Sequence, residues 1–372
     1  MPSSRSFRTD QPDAARGHVT AAEPGSGGRE QASKAAGFGL SVAIYVVISS
    51  MIGVGVLTTS GYTVAAVGSN QLMLGLWLFG GLVALCGALT IAELSASGGE
   101  YIYLYEAYGP SVAFLSGWVS FMIGFAAPIA AAAFASSSYL LAPFGLQPAV
   151  SRLTAQVIAT LAILVFAVIH NLGQSRTARV HSVITLLKVG VLASFLIAGL
   201  AAGWRNSVNL ADRPPLDLGV ATAMLFSMVY ISYAYTGWNA AAYLAGEIDD
   251  PGRRLPRAIL IGTTAVIALY LGLNTVYALA LPAAEVRAIA ARDGFDAVAP
   301  IAELAARRLF GPSLAARLSI AIGLTLPRSS GESAPPTATS SSSAPPTAWS
   351  ATRPCWSGMA GAGSGWTPTP RR

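Results

Sequence analysis

Seven long apolar stretches constrain this 372-residue chain more than any other feature of its sequence. Each is close to or longer than the roughly 20 residues that an α-helix needs to cross a hydrocarbon layer of about 30 Å. They are predicted at 38–66, 70–94, 112–143, 154–172, 182–202, 218–246 and 257–281, with a shorter eighth stretch at 313–326. Only 11% of the residues are charged. We therefore expect an all-α polytopic membrane protein with bound membrane lipid around it.

The two ends of the chain differ from this core in composition. Residues 1–36 lack the apolar segment of a signal peptide and carry scattered Arg and Lys, which predicts a disordered basic arm on the cytoplasmic side of the cell membrane. Residues 37–326 are the predicted transmembrane core. Residues 327–372 contain no Leu, Ile, Val or Phe, which is typical of a low-complexity disordered tail. Either this tail is native or the reading frame changed in a GC-rich gene, and Trp349, Trp356 and Trp366 favour the frameshift.

Other chemistries find little support in the residues. The chain has two cysteines and three histidines without ligand spacing, so we predict no disulfide framework, no metal site, no cofactor and no catalytic residues. The net charge of +6 is interpreted as a signal of membrane topology, and no nucleic-acid partner is expected. The chain is predicted not to be an enzyme.

Two of the predicted spans are interrupted by residues that do not suit a continuous membrane helix. The first contains Gly53 and Gly55 within ISSMIGVGVLTTSGY, and the sixth contains Tyr233, Thr236 and Gly237 within YISYAYTGWNAAAYLAGE. Lipid offers no partner to a backbone group that leaves its helix, so such breaks persist only inside protein or beside a wet cavity. Breaks five spans apart indicate two inverted five-helix repeats whose breaks face each other.

Several ordered motifs resemble the amino acid/polyamine/organocation permeases, in particular their L-type amino acid transporter-like branch. They are SSMIGVGVL, SGGEYIYLYEAYGPSVAFLSGW, ARVHSVITLLK and YAYTGWN followed by GEIDDPGRRLPRAI. The resemblance implies an inverted-repeat, LeuT-type transporter fold with discontinuous spans one and six, incomplete here after span seven or eight. Val54 departs from the small residue that the family has between the glycines, and the linker into SGGEY is shorter than usual.

The residues of the first break suit a carboxylate. Unwound backbone at Val54, Gly55 and Val56 would leave N–H groups at the positive end of a half-helix, and Gly53 lets a ligand approach closely. In the sixth span, the carbonyl groups of Tyr233, Ala234 and Thr236, with that of Met51 opposite, would be unpaired acceptors for an ammonium group. An anion site beside a cation site predicts an α-amino acid or a related amine as the substrate. The alternative is that the glycines only let helices pack closely.

The resemblance assigns roles to three further side chains. Tyr233 matches the residue that closes over the substrate in this family, and Trp238 would line the pocket or pack behind it. Lys188, inside the fifth span, matches the lysine that occupies the region where sodium-coupled relatives hold a cation. Such a lysine could replace sodium or carry a proton, which predicts sodium-independent exchange or proton coupling. The alternative for Lys188 is a side chain that reaches toward the cytoplasmic interface.

The sequence therefore predicts a secondary transporter of amino acids that works by alternating access. We expect the 372-residue chain itself to be an inactive fragment of a permease of about twelve spans. In the resembling fold, part of the scaffold is formed by later helices that this chain does not contain. A membrane receptor or scaffold whose breaks are only kinks is the alternative.

Two flanking features are also predicted. Pro256 is expected in the first turn of span seven, where its missing N–H costs little. The spacing of Ile301, Leu304, Ala305 and Leu309 predicts an interfacial or lid helix.

Overall fold

The computed structural model of the protein describes residues 39–94, 100–145, 148–171, 174–203, 210, 217–248 and 250–326. Within this part of the chain, seven helical segments are long and apolar enough to cross a membrane. They are Leu40–Val67, Asn70–Leu94, Pro110–Phe144, Arg152–Ile169, Ser182–Gly203, Leu218–Ala242 and Pro251–Ala280. The seven predicted spans are therefore confirmed. The predicted arm and tail, 1–36 and 327–372, lie outside the described residues.

These segments are built from α-helices joined by short irregular elements. The α-helices are α1 Leu40–Met51, α2 Gly55–Val67, α3 Asn70–Leu94, α4 Glu100–Tyr108, α5 Pro110–Val119, α6 Ala126–Leu141, α7 Pro148–Asn171, α8 Gln174–Gly203, α9 Leu218–Ala234, α10 Pro251–Ala280, α11 Ala283–Asp293, α12 Ile301–Phe310 and α13 Pro312–Thr325. A π-helix, Ser120–Phe125, joins α5 to α6, and 3₁₀ helices lie at Ala142–Phe144, Trp238–Glu247 and Phe295–Val298. Span one is therefore α1 plus α2, and span six is α9 plus the 3₁₀ helix Trp238–Glu247.

Span seven, α10, lies at the centre of the packed helices. It packs against α1, α3 and α8. Its buried residues recur every three or four positions, as at Leu255, Ile259 and Val266, which is the pattern of a helix with one face in a core. Gly262 lets α1 approach closely, because a Cβ atom there would lie 2.7 Å from Cγ1 of Val47.

The predicted beginning of span seven is wrong. Helix α10 begins at Pro251, six residues before the predicted Arg257, and Pro256 lies inside the helix and not in its first turn. Asp250 precedes the helix with φ +49°, and its carbonyl oxygen accepts from the amides of Arg253 and Arg254 at 3.1 and 3.0 Å. Pro251 thus takes the first helical position, where no N–H is needed.

Residues 283–310, here called the cap segment, lie between span seven and α13. They contain α12, which confirms the helix predicted from the spacing of Ile301, Leu304, Ala305 and Leu309, while its interfacial or lid role stays a prediction. The cap segment packs against α2 through α11, the 3₁₀ helix Phe295–Val298 and α12. Gly61 of α2 lies so close to the Val298 carbonyl that any Cβ atom would overlap it. Gly68, the residue that follows α2, also meets the cap segment, because a Cβ atom there would lie 2.7 Å from Nη1 of Arg287. The half-helix that follows the first break is therefore covered by the cap segment.

Candidate functional site

The first break separates α1 from α2 by three residues. Helix α1 ends at Met51, and Ile52 adopts an extended conformation with φ −71° and ψ 91°. Helix α2 then begins at Gly55, after Val54, whose side chain has no polar atom with which to cap the helix. The amides of Leu57 and Thr58 donate to the Val54 carbonyl, whereas those of Gly55 and Val56 have no acceptor among the described residues. The break therefore presents amide groups at the positive end of a helix.

The second break follows α9 and has a different construction. Helix α9 ends at Ala234, and the Tyr235 amide still donates to the Ile231 carbonyl at 3.1 Å. Gly237 then adopts φ +109° and ψ −9°, a conformation that residues with a Cβ atom rarely take. The chain continues from Trp238 as a 3₁₀ helix, whereas the predicted span 218–246 was expected to be α-helical there.

The two breaks are in direct contact. A Cβ atom at Gly237 would lie 2.7 Å from the carbonyl oxygen of Ser50 and 3.1 Å from the nitrogen of Met51. A Cβ atom at Gly55 would overlap that of Ala234 and lie 2.7 Å from its Cα. Each glycine thus admits the backbone of the opposite span. The prediction that the breaks face each other is confirmed.

The carbonyl groups at the breaks differ from the prediction. The Met51 carbonyl accepts from the Tyr270 hydroxyl at 2.6 Å, and the Tyr233 carbonyl accepts from the amide and hydroxyl of Thr236 at 3.1 and 2.7 Å. The expectation that these two carbonyls lack protein partners is therefore wrong, because side chains from α10 and from the break itself reach them. The carbonyls of Ala234 and Thr236 accept from no described residue.

The two aromatic residues predicted for the site are placed differently. The Tyr233 side chain is 43% exposed at the end of α9. Trp238 is half-buried against span two, because a Cβ atom at Gly87 of α3 would lie 3.1 Å from its Cζ2. Trp238 therefore packs behind the second break, one of the two positions that the sequence left open.

An aromatic cluster that the sequence did not predict supports both breaks. The rings of Trp77, Tyr235 and Tyr270 have centroids 5.2 to 5.6 Å apart. The Tyr235 hydroxyl donates to the Trp77 carbonyl at 3.0 Å, which joins span six to span two. Tyr270 joins span seven to the end of α1. Three large rings from three different spans thus pack together beside the breaks.

Lys188 lies on the inner face of α8 and is 4% exposed. Thr185, Leu192 and Phe195 are buried on the same face, at helical spacing from it. A lysine that reached toward the membrane interface would keep its ammonium group exposed. The observed burial is the environment that the ion-coupling prediction requires.

A cavity of about 640 Å³ lies beside α2 and α9, on the cap-segment side of the breaks. Tyr62 and Ala66 of α2, Phe226 and Tyr230 of α9 and Phe295 of the cap segment belong to its lining. None of its lining residues belongs to either break. At the breaks themselves, Gly55 and Ala234 are in contact.

Comparison with known proteins gives a consistent result. The chain is 33% identical over 240 residues to the serine/threonine exchanger SteT of Bacillus subtilis, covering 63% of this chain and 53% of that protein. It is 30% identical over 255 residues to human b(0,+)-type amino acid transporter 1, covering 66% and 52%. It is 29% identical over 279 residues to the human large neutral amino acids transporter small subunit 2, covering 72% and 51%.

The chain spans about half the length of these curated relatives. Residues 38–327, which include both breaks and the cap segment, match the amino acid permease family. Because this match covers most of the chain, the protein belongs to the amino acid permease family.

Proposed function

We propose that the chain carries the substrate site of an amino acid permease that works by alternating access, and that the two helix breaks form this site. The contact between the breaks of spans one and six carries this proposal. It places the start of one half-helix beside the end of another, inside the protein. The names of the relatives, which are transporters or exchangers of amino acids, support the same substrate class.

The first break would hold the substrate carboxylate. The amides of Gly53, Val54, Gly55 and Val56 lie at or just before the first turn of α2, where the helix dipole favours an anion. Amides at such a position bind carboxylates and phosphates without help from a cationic side chain. The absence of a side-chain cap at Val54 leaves this position open to a ligand.

The second break would hold the ammonium group. The carbonyls of Ala234 and Thr236 would be its first acceptors, since no described residue donates to them. The Met51 carbonyl retains a second lone pair beside its hydrogen bond from Tyr270, whereas the Tyr233 carbonyl already accepts two hydrogen bonds from Thr236. The oxygens of Ala234, Thr236 and Met51 would face an ammonium group bound between the breaks.

Two side chains would complete the site. Tyr233 would close over the bound substrate, since its side chain is exposed at the end of α9. Trp238 would support the second break from its contact with α3. Movement of the breaks apart by a small distance is required first, because Gly55 and Ala234 are in contact.

Lys188 would couple transport to an ion. A buried ammonium group inside span five can replace a bound sodium ion, or can release and take up a proton as its surroundings change. We therefore propose sodium-independent exchange or proton-coupled uptake.

Alternating access requires two bodies that move against each other. Spans one, two, six and seven pack against one another, because α10 contacts α1 and α3, and α9 contacts α2 and α3. These contacts support a bundle of spans one, two, six and seven that rocks against a scaffold that includes spans three, four and α13. We propose that the cap segment faces outward from the cell membrane and that the N-terminus is cytoplasmic, as the arginines near α8 and α10 favour.

Thermal unfolding of the purified full chain with a panel of L-amino acids tests the substrate class. We expect at least one amino acid to raise the unfolding midpoint, and its decarboxylated and deaminated analogues to have no effect. Indifference to every amino acid would contradict the proposal and favour a receptor or scaffold.

A pair of substitutions tests the carboxylate site more sharply. Val54 has φ −68°, which proline can adopt, so Val54→Pro removes one amide N–H with little strain. We expect this variant to bind the amino acid about tenfold more weakly or worse, because a hydrogen bond to a charged group is lost. Val54→Ala keeps the amide and is the matched control. Equal binding by the two variants would exclude the Val54 amide as a ligand.

The same binding measurement tests ion coupling. The affinity is expected to be equal in sodium chloride and in choline chloride at the same ionic strength. A requirement for sodium would show that the proposed role of Lys188 is wrong.

A further inference from the structure

The hydroxyl group of Tyr139 connects three helices at one buried point. Tyr139 lies near the end of α6 and is fully buried. Its hydroxyl donates to the carbonyl of Leu57 in α2 at 2.6 Å and accepts from the amide of Ala302 in α12 at 3.3 Å. One side chain of span three therefore holds both the half-helix after the first break and the cap segment.

Tyr139 is itself fixed to the scaffold side of the protein. The hydroxyl of Ser319 in α13 donates to the Tyr139 carbonyl at 2.6 Å. One turn further along, a Cβ atom at Gly323 would lie 2.7 Å from Cγ of Leu140 and 3.0 Å from the carbonyl oxygen of Ser136. Helices α6 and α13 thus pack with backbones in close approach, and Tyr139 would move with that pair.

The Leu57 carbonyl belongs to the other body. Leu57 lies in the first turn of α2, two residues after Gly55, which contacts Ala234 of span six. The hydrogen bond from Tyr139 to Leu57 therefore crosses from the α6–α13 pair to the helices that carry both breaks. Its position immediately beyond the first break, on the side covered by the cap segment, places it on the path between the breaks and that side of the membrane.

The Ala302 amide has a simple reason to bind there. Ala302 is the second residue of α12, and amides in the first turn of a helix have no acceptor within that helix. Ala302 is completely buried, so water does not satisfy its amide. The Tyr139 hydroxyl supplies the acceptor and thereby holds the first turn of α12 next to α2.

We propose that Tyr139 is the latch that holds the cap-segment side of the substrate site closed. This inference rests on the proposed alternating-access function. Opening on that side separates α2 from α6, so the bond to Leu57 breaks, and α12 loses the acceptor for its Ala302 amide. Tyr139 is a positioning residue that contacts no substrate and sets the balance between closed and open forms. Loss of one buried hydrogen bond changes such a balance by about fivefold.

Hydrogen exchange followed by mass spectrometry, on the purified full chain in lipid nanodiscs, tests the latch. Tyr139→Phe keeps the ring and removes both hydrogen bonds of the hydroxyl. We expect amide exchange to rise by about fivefold or more in the peptides of α12 and the first turns of α2, with the remaining peptides unchanged. Tyr277→Phe is the matched control, because the buried Tyr277 hydroxyl has no hydrogen-bond partner among the described residues. It should leave exchange unchanged throughout.

A second measurement reports opening directly. With Cys86 and Cys355 replaced by alanine, Ser60→Cys places a thiol at a fully buried position of α2. A charged thiol reagent should modify this cysteine about fivefold faster when Tyr139→Phe is added, and at an unchanged rate when Tyr277→Phe is added.

Three results would overturn the latch: no local rise in exchange and labelling in Tyr139→Phe, an equal rise in Tyr277→Phe, or a uniform rise over the whole chain. Amino acid binding to the same samples separates this proposal from the proposed function. Local opening without any amino acid binding would retain the contact and contradict transport. Amino acid binding with no opening in Tyr139→Phe would contradict the latch alone.

Discussion

The two breaks contact each other but are built in different ways. At the first, the chain passes through the extended Ile52 and resumes as an α-helix at Gly55. At the second, the chain turns through Gly237 at φ +109° and continues as a 3₁₀ helix. Gly55 is needed for space alone, because it lies within an α-helix, whereas Gly237 is needed for both space and conformation.

The carbonyl groups at the two breaks also differ in where their hydrogen-bond donors come from. The last carbonyl of α1, at Met51, is held by Tyr270 from span seven, 219 residues away in sequence. The Tyr233 carbonyl near the end of α9 is held by Thr236, three residues away and exposed. The carbonyl at the end of the first half-helix is therefore held by a neighbouring span, and the one near the end of α9 by its own turn. We expect the first to be more sensitive to changes elsewhere in the protein and the second to changes in its own backbone.

The largest effect is expected from Gly237→Ala. The substitution forces a Cβ atom into the left-handed region of φ and against the Ser50 carbonyl, and each cost is of the order of 1 to 3 kcal/mol. We expect a loss of about 3 kcal/mol or more in the free energy of unfolding, measured by denaturant titration in detergent. Gly145→Ala is the control, because Gly145 also lies in the left-handed region, with φ +55° and ψ +37°, and has open space around it. Equal losses in the two variants would show that the contact with Ser50 contributes nothing.

Gly55→Ala is expected to cost about 2 kcal/mol, because the new methyl overlaps that of Ala234 in a packed interior. Adding Ala234→Gly removes the closest overlap, so the double variant should regain part of that loss. The remaining cost comes from the Ala234 Cα, 2.7 Å from the new methyl. The coupling energy from the four unfolding titrations measures the contact.

Gly75→Ala provides the control for this cycle, since nothing lies within 4 Å of that position and its helix should be unaffected or slightly stabilised. If the losses in the free energy of unfolding from Ala234→Gly and Gly55→Ala were additive, the contact with Ala234 would not be the reason that position 55 requires glycine.

The spans and both breaks were predictable because local composition determines them. An apolar stretch of about 20 residues must be helical in lipid, and glycine or clustered polar residues mark where it is interrupted. The beginning of span seven was not predictable in this way. The run DDPGRRLP contains two prolines that could begin the helix. The helix begins at Pro251 because Asp250 leaves the helical conformation, which the sequence does not reveal.

The support of the site depends on tertiary contacts and could not be predicted. Helical spacing indicates that Tyr270 faces the core, but not that its hydroxyl reaches Met51 in another span. Tyr233 and Tyr235 lie at the end of a helix, where periodicity no longer says which ring is buried. The structure buries Tyr235 against Trp77 and exposes Tyr233. The unpaired carbonyl groups at the breaks were predicted from the positions of the helix ends alone. Such a prediction cannot include donors from other spans, such as the Tyr270 hydroxyl.

Tyr270→Phe tests the brace at the first break. The variant keeps the ring between Trp77 and Tyr235 and removes the hydrogen bond to the Met51 carbonyl. We expect a loss of about 1 kcal/mol in the free energy of unfolding, because one buried hydrogen bond disappears while packing is retained. Tyr277→Phe, whose hydroxyl has no partner within the described residues, should cost less or be neutral. A larger loss in Tyr277→Phe than in Tyr270→Phe would contradict a brace at Met51.

The smallest effect is expected from Thr236→Val at the second break. Valine has the shape of threonine, so the change removes the 2.7 Å bond from the hydroxyl to the Tyr233 carbonyl and leaves the amide bond in place. Because Thr236 is exposed and the carbonyl keeps one donor, the loss in the free energy of unfolding should not exceed about 0.5 kcal/mol.

Thr58→Val is the matched change at the first break. The Thr58 hydroxyl donates to the Val54 carbonyl at 3.1 Å, and the side chain is half-buried. Its substitution should cost slightly more than that of Thr236, because water replaces the lost donor less easily at a half-buried carbonyl. Unfolding titrations of the two variants in the same detergent measure the difference. If Thr236→Val were as costly as Tyr270→Phe, the second break would also depend on a buried hydrogen bond, and the contrast between a braced break and a local one would fail.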